Sequence, residues 1–178
     1  MKKMFILVTI GSIIFTSCGK SEKEFDEKLN AAEVNIMTTM LMDAVVHDAV
    51  LNAWHDAIYK NRTPSGKYCD DINDALKEVK DSITHYKMDE KARENNERLL
   101  QLASEMASPP SSRKDCYEDF IEIVTEVSTL TRTTLDISGS YKTYSQKTGE
   151  LFDEISKKRD QFTIKYGSLL KKSEETTE

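Results

Sequence analysis

The sequence predicts an all-α fold, an elongated antiparallel up-down bundle of about four helices behind a cleaved leader. Three observations predict it. Apolar residues recur at three- and four-residue spacing through four long stretches, as one buried face of a helix requires. Strong breakers are confined to three places: Pro64-Ser65-Gly66, Pro109-Pro110 and Gly139. Past the leader, no long alternating apolar run suggests a sheet. Short loops between long helices favour antiparallel neighbours.

The leader comes first. Lys2 and Lys3 precede an apolar run from Met4 to Phe15, and small residues precede Cys18. Charge, apolar run and small residues in that order are the pattern of a secretory signal. The run is shorter than the ~20 apolar residues of a spanning helix. The division expected is a signal peptide over 1–17, a charged tether over 18–24, a helical bundle over 25–172 and a disordered polar tail over 173–178.

Helix one spans about Phe25 to Tyr59 and stops at "NRTPSG". Helix two starts at Asp70-Asp71, whose carboxylates suit a helix N-terminus, and carries the stripe Ile72, Leu76, Val79, Ile83 and Tyr86. The stripe fades in "KMDEKARENNER" and returns at Leu99, Leu102 and Met106. The faded part is either exposed helix or a break near Asp89. Pro109-Pro110 ends the rod, because proline disfavours helix at the residue before it. Helix three covers about Asp115 to Ile137. Its Thr-rich end has strand composition, but Phe120, Val124, Val127, Thr131 and Leu135 keep helical spacing. Helix four covers about Tyr141 to Leu170, with Tyr144, Thr148, Leu151, Phe152, Ile155, Phe162 and Leu169 on one face.

This topology separates the two cysteines outside the leader region. Cys69 opens helix two at the end of the bundle farthest from the leader and Cys116 opens helix three at the other. An unbroken helix between them is ~50 Å long. A disulfide needs Cα atoms ~4.4–6.8 Å apart. Two free thiols are expected.

"MDAVVHDAVLNAWHDAIY", residues 42–59, holds the chemistry candidates. At 100° per residue, Asp43 and His47 fall in the middle of the apolar face made by Ile36, Met40, Val50 and Trp54, while His55 lies on its flank. Imidazole and carboxylate suit zinc or iron. Asp43, His47 and His55 are the candidates a metal has here. Di-iron bundles, however, supply Glu-x-x-His from two helices, which this sequence lacks. No metal, cofactor or catalytic residue is therefore assigned, and the chain is not expected to be an enzyme. The reading preferred is a buried polar layer in which Asp43 pairs across the bundle with Arg159, with His47 alongside. Such a layer sets register more than it adds stability.

"NRTPSGKYC" and "SGSYKTYS" fall at the distal end. Exposed Tyr beside Arg and Lys is a recognition composition. Tyr68, Tyr141 and Lys142 are the candidates for contact with a protein or glycan partner. The formal charge is −6, and −8 once Lys2 and Lys3 are removed. An acidic body excludes nucleic acid as the expected partner, since phosphate contact needs Lys and Arg.

The run Phe15-Thr16-Ser17-Cys18 resembles the lipobox of bacterial lipoproteins, with Phe15 where Leu is usual, as in Bacteroidetes-type lipoproteins. The resemblance implies cleavage between Ser17 and Cys18 and diacylation of the Cys18 sulfur. Acyl chains contribute ~0.8 kcal/mol per buried methylene, and two together anchor stably where one does not. The location implied is the bacterial cell envelope, in the outer membrane. The tether "GKSEKE" resembles the charged segments that accompany surface export. "AWHDAIY", Pro109-Pro110, Tyr117 and "SGSYKTYS" are similar to a loose set of small all-helical bacterial proteins, which supports the fold and implies no activity. The function expected is that of an anchored binding or scaffold module presenting its distal loops. A spacer rod is the alternative, and a metal-binding bundle the third.

Overall fold

The computed structural model describes the backbone of residues 7–170 and the side chains from Ser21 to Leu170. Cleavage at Ser17, acylation of Cys18 and the polar tail lie outside the residues so described. The described chain is all helical: α1 (Leu7–Lys60), α2 (Ile72–His85), α3 (Met88–Glu105), a 3₁₀ turn (Ser111–Arg113), α4 (Lys114–Leu135) and α5 (Tyr141–Leu170). The helix α1 packs against each of the other four.

The expected second helix is two. It breaks at Tyr86-Lys87, just before the Asp89 position the fading stripe marks. Lys87 takes a left-handed backbone, φ 55°, and its N–H bonds the Thr84 carbonyl at 3.1 Å, which closes α2. Asp89 and Glu90 then sit in the first turn of α3, where negative charge favours the helix dipole. The rod does not fold back. Val79 and Ile83 pack with Val46, Val50 and Trp54, and Leu99 and Ala103 with Leu29 and Ile36. The stripe of α3 is faint because only Ala92, Leu99 and Ala103 are buried along it. Two of these are alanines, small enough to let two helices approach.

Most of the core lies in two parts. A proximal cluster holds Phe25, Leu29, Ile36, Leu99, Phe120, Val127, Ile155 and Phe162. A distal cluster holds Val46, Val50, Trp54, Val79, Ile83 and Tyr144. Cys116 belongs to the first, while Cys69 packs with Ala57 and Ala75 in a small third cluster. Both thiols are buried and free, and burial pushes the Cys116 thiol up to about 12.

The connections set where each helix starts. Asp71 caps α2 by accepting the Asn73 N–H at 2.9 Å, as the sequence indicates. Between α4 and α5 the chain turns on Gly139, φ 82°, and the Ser140 hydroxyl receives the Thr143 N–H at 3.2 Å. At the proximal end, the charged segment expected as a tether continues helix α1. Arg113 grips it, donating to both carboxylate oxygens of Asp26 at 2.8 and 3.0 Å, while Ser112 donates to Glu22. A forked guanidinium–carboxylate pair fixes angle as well as distance. From Glu22 onward the segment is part of the bundle.

Two outcomes follow for stability and thiol chemistry. Lys87→Gly relieves a left-handed non-glycine backbone that costs about 1 kcal/mol, so thermal unfolding should move up by roughly 2–4 °C. In a Cys18→Ser chain, Ellman's reagent should find Cys69 and Cys116 slow to react when folded and fully reactive in guanidinium.

Candidate functional site

The polar layer exists, with different partners from those expected. Asp43 is fully buried. One carboxylate oxygen accepts a hydrogen bond from the Thr131 hydroxyl at 2.7 Å, and the other has no partner. An anion stripped of water and paired to one hydroxyl is costly. Burial therefore pushes the Asp43 carboxyl up to about 7.

Arg159 does not reach it. Its guanidinium donates to Glu33, with Nε at 3.0 Å. Register decides this. An Asp43–Arg159 pair would need α1 and α5 to reach the distal end together. Instead α4 ends early, and Tyr144, in the first turn of α5, packs on Trp54 with ring centroids 5.2 Å apart. Helix α5 therefore starts beside the middle of the distal cluster, and everything along it shifts toward the proximal end of α1. Glu33 lies ten residues, about 15 Å, below Asp43.

His47 also departs from the expected pairing. Its Nδ1 faces Asp48 at 3.2 Å, and its ring stacks on Tyr144 at 5.9 Å and meets the edge of Phe152 at 5.6 Å. Its Nε2 is buried without a partner. The ring packs as a flat half-buried surface. The remainder of the layer is threonine. Thr39, Thr134 and Thr148 return their hydroxyls to carbonyls four residues back, at 2.8, 2.9 and 2.7 Å. Tyr144 donates to the Thr134 carbonyl at 2.9 Å, and burial raises its phenol pKa.

As a metal site the layer lacks ligands. Among the described residues no three His, Cys, Asp or Glu side chains come together to hold an ion. His55 is exposed, with its Nδ1 3.1 Å from Asp56 and its ring against Tyr59.

The distal loop is ordered by its own hydrogen bonds. Asn61 and Gly66 take positive φ, and Arg62 and Tyr68 form an antiparallel bridge. Glu78 of α2 accepts the Ser65 N–H at 2.6 Å and its hydroxyl at 3.1 Å, and the nearby Thr63 hydroxyl first, then these Ser65 bonds, lower the Glu78 pKa. Tyr68 stands 72% exposed on this platform, its hydroxyl donating to Asp70. Ile58, Tyr59 and Ile72 of the same tip are also exposed. A groove of about 350 Å³ runs beside Tyr68, past Lys67, Asp74, Lys77 and Asp81. Tyr141 and Lys142 are placed lower. Tyr141 is half-buried against the Trp54 cluster, and Lys142 is exposed. Ile58 and Ile72 each fall within a helix-period stripe that reads as core, and only the packing shows that they stand at the exposed tip.

The buried carboxyl carries a pH signature. Between pH 4 and 7 the folded state keeps the Asp43 proton that the unfolded chain releases. Stability owed to this group is therefore full below pH 4, falls as pH rises toward 7 and is flat above. Asp43→Asn should remove that slope: its unfolding free energy relative to the parent should rise by a few kcal/mol, at ~1.4 kcal/mol per pKa unit, between pH 4 and pH 8. Urea titrations at the two pH values measure it.

Known proteins provide no template for either region: no family model, no curated protein and no solved structure matches the chain.

Proposed function

We propose that the chain is a lipid-anchored protein of the bacterial envelope that binds a partner through its membrane-distal tip. The observation that carries this reading is the exposed apolar and aromatic tip on an ordered loop: Ile58, Tyr59, Tyr68 and Ile72 stand in solvent, while hydrogen bonds from Glu78 hold the loop beneath them. Aromatic residues on a preorganised surface are what recognition uses, since little side-chain or loop freedom is left to lose. Flanking Lys60, Arg62 and Lys67 supply donors for a protein or glycan partner. The anchor is Cys18, acylated after cleavage behind Ser17, in the outer membrane. The buried layer around Asp43 serves the fold and no reaction.

A second reading has its own support. The helix α1 is uninterrupted, the part left after cleavage, residues 18–60, is about 65 Å long, and the Arg113 grip on Asp26 makes its proximal part rigid with the bundle. Those are properties of a spacer, whose length is its function.

Cross-linking and pull-down of the lipidated chain from intact cells separates the two. Tyr68→Ala with Ile72→Ser should cut partner recovery at least tenfold while the melting temperature stays within about 2 °C, because exposed substitutions cost ~0.5 kcal/mol or less. Unchanged recovery sinks the tip. Under the spacer reading the tip variant is active, and removing whole helical turns is what destroys function.

A further inference from the structure

Asp43 lies one hydrogen bond behind a groove. The groove, about 480 Å³, runs between α3 and α4 and is lined by Arg93, Asn96, Glu97, Thr131, Arg132 and Asp136. Thr131, only 2% exposed, forms its floor and gives its hydroxyl to Asp43. Asn96 also lines it, and its Oδ1, like that of Asp43, is buried without a partner. The helix on one side of this groove is weakly held. Before Leu99, the one buried residue of α3 is Ala92, whose side chain is a methyl group. Among the described residues, the one side-chain hydrogen bond between α3 and α4 runs from Tyr117 to the Ala103 carbonyl, at the far end. Arg132 donates to Ser128 and Thr129 of its own helix. The left-handed backbone of Lys87 separates α3 from α2. Few buried side chains and no cross-ties mark a segment that opens ahead of the whole fold.

We propose that residues 88–96, the first half of α3, are a lid that parts from α4 when Asp43 loses its proton, so that water reaches the carboxylate along the groove. Closed, the carboxyl has one hydroxyl and no counter-charge, so an anion there is costly, while a hydrated anion is not. The charged groups facing the groove are Arg93 and Glu97 from α3 and Arg132 and Asp136 from α4. His47 on α1 and Tyr144 on α5 are the titratable groups on the other sides, and α2 packs farther along α1, on Val46 and Val50. Among the described residues only Thr131 bonds the carboxyl. Burial holds the closed carboxyl at about 7, and a hydrated one releases its proton at about 4. Opening is therefore favoured about tenfold per pH unit between these values and no further above them.

Native-state hydrogen exchange on the full chain, in the Cys18→Ser background, tests the lid. The amides of residues 92–96 should exchange through an opening that sub-denaturing urea hardly changes. Those of Phe120 and Ile123, in the proximal cluster, should exchange only as the whole bundle unfolds. The lid opening should grow about tenfold per pH unit from pH 5 to 7 and level off above. Asp43→Asn should remove this dependence and His47→Gln should keep it. If Asp43→Asn does not fold, Thr131→Val serves instead: it takes away the one bond that lowers the carboxyl pKa, so the rise should continue beyond pH 7. The proposal is overturned if residues 92–96 share the urea dependence of Phe120, or if their opening does not change with pH. It is equally overturned if the pH dependence survives Asp43→Asn, vanishes in His47→Gln or levels off at the same pH in Thr131→Val.

Discussion

The structure depends on the uninterrupted helix α1 and on what its buried stripe will accept. Every other helix packs on it, so their registers are set against one ruler. That stripe is apolar except at Thr39 and Asp43, both fully buried. The core consequently divides, with Ile36 and Leu130 on one side of the polar residues and Val46 and Val50 on the other. Two apolar clusters joined by a polar seam resist sliding, because a shift of one turn buries Asp43 against hydrocarbon and takes away the Thr131 hydroxyl that is its one hydrogen-bond partner.

The seam is inexpensive except at the Asp43 carboxylate and the buried His47 Nε2. A threonine hydroxyl on a helix finds the carbonyl four residues back, so Thr39, Thr134 and Thr148 are satisfied without a partner helix. A carboxylate has no such local solution. Asp43 takes one hydroxyl and holds its proton toward neutral pH instead. The aromatic side of the seam does the packing: the rings of Trp54, Tyr144, His47 and Phe152 touch in that order, and Tyr144 alone bonds backbone. A histidine there behaves as a flat half-polar ring, which is why two His-Asp dipeptides on one helix make no site.

The two ends differ in chemistry. The proximal end is closed by charge, with Arg113 forked on Asp26 and Ser112 on Glu22. The distal end is closed by backbone turns and a carboxylate brace from Glu78, which leaves its apolar and aromatic side chains outward. Surface ion pairs are weak individually, but the Arg113 pair is mostly shielded, so it ties the N-terminal part of α1 to the turn before α4.

Helical period and breakers determined the all-α class, the four rods, the Asp71 cap and the separation of Cys69 from Cys116, because these depend on local spacing and on lengths along one chain. The fading stripe in "KMDEKARENNER" marked the break within a few residues of Lys87 for the same reason. The buried side of α1 was legible, since the face centred on Ile36 is the one its neighbours cover and Val34, Met37, Leu41 and Val45 lie across the helix from it and face out. What only the tertiary structure decided was register between rods. Arg159 meets Glu33 and not Asp43, since the turn at Gly139 comes earlier along the bundle than the turn at Gly66, and a loop's height cannot be counted from within a helix.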